Sequence, residues 1–217
     1  MKFPNAYKGV KKLFIAEIIA LIGAIASLVV AIFAKLPGYA DEKSPIFIVA
    51  GILAFVILIA LIVAYVIQVV GLYQGGKDEH YLKVGFFVVI FSLILGIVGS
   101  ILTTWVKGAA QIGSIIDTIC KVADAFVIIF VIFGVMSLAA ELGNESMVKL
   151  GKSLCIMVII MYVLSIVIRL IAAFVKTEDN ALAVALGVLG IIGIVLELVI
   201  YVINFVYLGK AVKMLKE

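Results

Sequence analysis

Six stretches of this chain stay apolar for about twenty residues or more, and nothing else in the sequence limits the fold so strongly. An α-helix rises about 1.5 Å per residue, so about 20 apolar residues match the ~30 Å hydrocarbon core of a bilayer. The stretches are Leu13–Ala34, Ile46–Tyr73, Val84–Val106, Ile115–Ala140, Leu154–Val175 and Ala181–Leu208. They run continuously, whereas membrane strands alternate lipid-facing and lumen-facing residues, so helices are expected. Gly38, Gly75-Gly76, Gly108 and Gly143-Asn144 mark the breaks between them.

A soluble fold would have to hide this apolar surface in a core. The chain has 217 residues, 66% of them hydrophobic and 14% charged. Soluble domains have about 45–50% apolar and 25% charged residues, and a chain this short keeps a large surface for its volume. The sequence therefore predicts an all-α integral membrane protein, a six-helix transmembrane bundle forming one domain over residues 1–217.

The N-terminus has the lysines and small residues of a secretory leader, with Ala24-Ile25-Ala26 resembling a cleavage site. Glu17 interrupts the apolar region and the run continues to Ala34, so a retained first helix is expected. The fourth stretch admits two arrangements. Asp117, Lys121 and Asp124 share one helical face, so residues 109–121 either belong to the span or lie along the membrane surface ahead of it.

Positive charge orients the spans. The N-terminus, the 74–83 and 141–152 loops and the C-terminus hold 11 lysines, and the other face holds five lysines and Arg169. The richer side is cytoplasmic by the positive-inside rule, which places both termini inside the cell. A plasma membrane is the expected location, and the Lys-rich, Arg-poor, Ile/Val-rich style suggests a bacterium. The lysine rim would attract anionic lipid. No arginine and aromatic platform for bases accompanies the lysines, so nucleic acid is not an expected partner.

The loops carry internal similarity. Leu72 through Gly85 align without gaps to Leu138 through Gly151, an offset of 66, with Leu72/Leu138, Glu79/Glu145, Lys83/Lys149 and Gly85/Gly151 identical. Val66-Ile67-Gln68 also resembles Val202-Ile203-Asn204. The chain reads as three parallel two-helix repeats, approximately residues 1–73, 74–139 and 140–217.

An ionised group at the bilayer centre costs roughly 2.5–3.5 kcal/mol on insertion scales, so charges inside the spans need a partner or a purpose. Glu197 lies 13 residues before Lys210, about 20 Å into the sixth span. Gly190, Gly193, Glu197, Tyr201 and Asn204 form one helical stripe, where glycines allow close backbone approach and polar groups face protein or water. Glu197 is thus a candidate cation or proton site. Asp124 and Arg169 stand at matching depths in the fourth and fifth spans, which suits an interhelical ion pair. Glu17 lies only five residues past Lys12, where snorkelling towards the interface is expected. It begins a seam of Ala20, Ala24, Ser27 and Ala31 that suits close packing.

No catalytic, cofactor or metal motif emerges. Gly71 to Lys77 matches most of a phosphate-binding loop, but Asp78 stands where a Ser or Thr is needed and no strand precedes it. His80 is the single histidine and cannot build a zinc site alone. Cys120 and Cys155 fit neither a disulfide framework nor a metal site. Asn144-Glu145-Ser146 matches a glycosylation acceptor but falls on the cytoplasmic side. The expectation is a noncatalytic membrane protein, a structural scaffold or a subunit of an assembly with a membrane-protein partner or a second copy. The competing expectation is a small transporter or channel component using Glu197, with Asp124 and Arg169.

Overall fold

The computed structural model describes residues 2–33, 45–106, 110–174 and 199–217. These form six helices: α1 (Pro4–Phe33), α2 (Pro45–Gly75), α3 (His80–Trp105), α4 (Ala110–Glu141), α5 (Glu145–Phe174) and α6 (199–216). No strand occurs among the described residues. Five helices are long and apolar enough to cross a membrane. In α2 only 11% of the most apolar window is buried. Val56, Leu58, Leu61 and Ile62 are all exposed, and at about 100° per residue they spread around more than one face. Such a helix is not a surface helix of a soluble core, which would keep its uncovered face polar.

The helices outrun the apolar stretches because their ends are held by polar groups the hydropathy pattern does not show. α1 begins at Pro4, nine residues before Leu13. Proline suits the first helical position because it has no N–H to satisfy there. The next two N–H groups are taken from a distance: Asn5 and Ala6 donate to Asp78 Oδ2 at 2.7 and 2.9 Å, and Asn5 Nδ2 donates to Asp78 Oδ1 at 2.8 Å. The loop between α2 and α3 thus caps α1. That loop also caps α3, since Glu79 is extended and accepts from Leu82 N at 3.0 Å. Asn144 plays the same part for α5, accepting from Met147 N at 3.1 Å.

α4 closes differently. Gly143 has φ +69°. Asn144 N donates to Ala139 O at 2.8 Å and Gly143 N to Ala140 O at 3.0 Å. This is a Schellman closure, which glycine allows without a Cβ penalty. The two loops matched in the sequence are therefore alike in position and different in construction. Leu72 and Leu138 are both fully buried. However, α3 starts at His80 and α5 at Glu145, so the helix starts differ by 65 residues and the aligned Asp78 and Asn144 serve different helices.

α4 is one unbroken helix of 32 residues, about 48 Å long. That exceeds the ~30 Å hydrocarbon thickness. Residues 110–121 are therefore a continuous extension of the fourth span rather than a separate segment. Asp117 and Lys121 pair with each other on its exposed surface.

Packing follows chain order, with α1 on α2, α2 on α3, α3 on α4 and α4 on α5. The α1–α2 contact is backbone on backbone. A Cβ on Gly9 would lie 2.5 Å from Gly75 N and 2.6 Å from Gly71 O, so only glycine allows this approach. α6 inserts between the others. Phe205 stacks on Phe14 of α1 with centroids 4.9 Å apart, and buried Tyr207 donates to Ile132 O of α4 at 3.4 Å. Lys2 reaches both Glu141 Oε2 (3.6 Å) and Glu141 O (3.4 Å). Together with the Asp78 cap, this gathers the N-terminus and both described loops at one end of the bundle.

Candidate functional site

α1, α2, α4 and α6 line a partly open cavity of about 240 Å³. Its polar wall consists of Glu17, Tyr65, Gln68 and Asn204. Leu13, Ala16, Ala20, Leu61, Ala64, Val127, Ile128, Val131 and Leu208 complete it. Each polar group comes from a helix whose neighbours in sequence are apolar. Glu17 sits on the face of α1 that carries the small residues Ala16 and Ala20, so α2 and α6 come close enough to surround it. Gln68 is the sole amide between Ile46 and Tyr73 and is half-buried among the α2 aliphatics. Asn204 is 7% exposed on α6.

The hydrogen bonds fix some of these groups and leave others open. Tyr201 Oη donates to the backbone oxygen of Glu17 at 2.7 Å, tying α6 to α1 beside the carboxylate. Tyr65 Oη donates to Val89 O of α3 at 3.4 Å, which leaves its oxygen free to accept. Asn204 Oδ1 is buried and has no hydrogen-bond donor among the described residues. An unmet buried acceptor costs about 1–3 kcal/mol, so it demands an explanation. Among the described residues no lysine, arginine or histidine lines the cavity.

A second, open recess of about 520 Å³ lies between α3 and α4. Asp124 stands in it, exposed, and accepts from Ser92 Oγ at 3.4 Å. Cys120 Sγ approaches Ser92 O at 3.6 Å. Gly96, Ser100 and Tyr65 complete its small and polar lining. Tyr65 borders both spaces, so the Asp124 recess and the Glu17 cavity are neighbours across one side chain.

The structure brings Tyr201 and Asn204 of the sequence stripe together with Glu17. Glu197, Gly190 and Gly193 lie outside the described residues. The backbone of Arg169 belongs to α5, but its side chain is not among those described, so the Asp124–Arg169 pair also falls outside them. The described partner of Asp124 is Ser92. Sequence reasoning placed Glu17 at the interface and passed over Tyr65 and Gln68 as site residues. Two signals pointed to Gln68, a lone amide in a run of aliphatics and the likeness of Val66-Ile67-Gln68 to Val202-Ile203-Asn204, whose amides meet at one cavity, and none pointed to Tyr65. Among the described residues no group of His, Cys, Asp and Glu is arranged to hold a metal ion. Comparison with known proteins gives no matching family model, no matching curated protein and no matching solved structure.

Proposed function

We propose that this chain is a noncatalytic multi-pass protein of the plasma membrane that takes a small solute into its bundle, as a transporter or channel component. The observation that carries the reading is the cavity between α1, α2, α4 and α6, where the Glu17 carboxylate and Asn204 Oδ1, which has no donor among the described residues, share a space whose described wall is mostly aliphatic. Polar groups kept inside an apolar bundle are expensive, and a solute that pairs with them accounts for their presence.

In this reading the bundle crosses six times, with both termini and the lysine-rich end in the cytoplasm and anionic lipid around that end. The cavity then lies in the cytoplasmic half, since Glu17, Gln68 and Asn204 stand about 8, 13 and 9 Å from Lys12, Lys77 and Lys210. Three parallel helix pairs account for the paired amides of α2 and α6 in the same space. Glu197 lies 13 residues before Lys210 in the sequence, and the transport reading takes it as a further cation or proton site.

The test is flux in proteoliposomes containing the purified protein. Movement of protons, potassium or methylammonium above that of empty liposomes, lost in Glu17→Gln and in Glu197→Gln, is expected. No movement of any of the three with folded wild-type protein would defeat the transport reading. A structural subunit is the second reading. Exposed Asp124 and half-buried Ser92 favour it, since a partner helix or a second copy seated in their recess would shield them from lipid.

A further inference from the structure

We infer that the ligand of the Glu17 cavity is a small organic monoammonium ion with an apolar body of up to about ten non-hydrogen atoms. The inference rests on the reading that the cavity holds a solute, and it assigns the class.

Charge comes first. Among the described residues one carboxylate, that of Glu17, lines the space and no basic side chain does. A single positive charge is the complement, and a divalent ion would find too few anionic ligands. Donor geometry comes next. Asn204 Oδ1 needs a hydrogen bond that no described residue supplies. A primary ammonium has three N–H donors, like a lysine head. Glu17 takes one, Asn204 Oδ1 a second, and the Tyr65 oxygen, whose own proton goes to Val89 O, a third. The Tyr65 ring adds the option of a cation–π contact.

The remaining wall separates an organic cation from an alkali ion. Apart from four polar residues the lining is aliphatic, and it gives a bare ion or its water shell little to coordinate. A closed apolar cavity of about 150 Å³ holds benzene, so the 240 Å³ of this partly open one is in scale with about ten non-hydrogen atoms. A hydrocarbon body fills the region against Leu61, Val127 and Val131 while the ammonium stays at the polar end.

The experiment uses the full chain in detergent, with benzylammonium as probe and benzyl alcohol, benzoate, sodium and potassium as comparisons, read by isothermal titration. Benzylammonium is expected to bind at least about tenfold tighter than benzyl alcohol, with no binding of benzoate. Glu17→Gln should lose that preference. Asn204→Asp, which adds a second carboxylate, should tighten benzylammonium severalfold, a gain that misfolding cannot imitate. Equal affinity for benzylammonium and benzyl alcohol, or an unchanged preference in Glu17→Gln, would overturn the proposal. So would Glu17-dependent binding of sodium or potassium without the amine, and that result would leave the transport reading standing. Amine binding without any flux would support the ligand class and refute transport, so the two failures are distinguishable.

Discussion

Asp78→Ala removes a cap that holds together two parts of the chain more than seventy residues apart. The carboxylate receives the Asn5 and Ala6 N–H groups at 2.7 and 2.9 Å and the Asn5 side-chain amide at 2.8 Å. Losing an N-cap costs about 0.5–2 kcal/mol. Here the acceptor is also charged and sits at the positive end of the α1 dipole, a further ~0.3–1 kcal/mol. α1 has no acidic residue of its own in its first turn to take over. Two N–H groups would be left to water in a half-buried site, which brings the expected loss to about 2–4 kcal/mol. For a chain of this length that lowers Tm by about 4–16 °C. Cys155, 5% exposed, supplies the assay: its labelling by a thiol-reactive dye during heating, in a Cys120→Ser background, reports loss of packing. Asp78→Asn keeps one acceptor and should lose roughly half as much. If Asp78→Ala melts within about 1 °C of the parent, the cap contributes nothing and the reasoning fails.

Other outcomes follow from the same contacts. Gly9→Ala forces a methyl into the α2 backbone and should destabilise by about 1–3 kcal/mol. Gly51→Ala, where a Cβ meets nothing within 4 Å, should melt no lower than the parent, and the thermal labelling assay compares the two. Gly143→Ala should cost about 1–2 kcal/mol through its positive φ alone, since nothing crowds a Cβ there, and Gly143→Asn should cost less in the same assay. Asn204→Leu removes an unpaired buried acceptor, so the ligand-free protein should gain about 1 kcal/mol while amine binding disappears in titration. Glu141→Ala breaks only the exposed ion pair to Lys2 and should change Tm by no more than about 2 °C.

The helices were legible because lipid imposes a length and a composition that each stretch must satisfy alone. Pro4 and Asn144 were visible as well, yet the start of α1 was not, because its cap comes from Asp78 in another loop. The closure at Gly143 was readable as a Gly-Asn break, but its left-handed geometry, and the shift it puts into the aligned loops, was not. The candidate site was half legible. Tyr201 and Asn204 stood out as polar positions on an apolar helix. Glu17 did not, because depth along α1 suggests an escape to the interface, whereas its surroundings are set sideways by α2, α4 and α6. Tyr201, which anchors it, lies 184 residues away in sequence. Spacing within one helix cannot show which helices close around it.

In the proposed function a cationic solute reaches the interior at Glu17 and Asn204. Its most direct test is the reactivity of Asn204→Cys in a Cys120→Ser/Cys155→Ser protein in liposomes. Two small thiosulfonate reagents of similar size are compared, one bearing an ammonium group and one a sulfonate. The ammonium reagent is expected to modify position 204 at least about tenfold faster, and adding Glu17→Gln to abolish the difference. Equal rates for the two reagents, or no modification by either in folded protein, would contradict it.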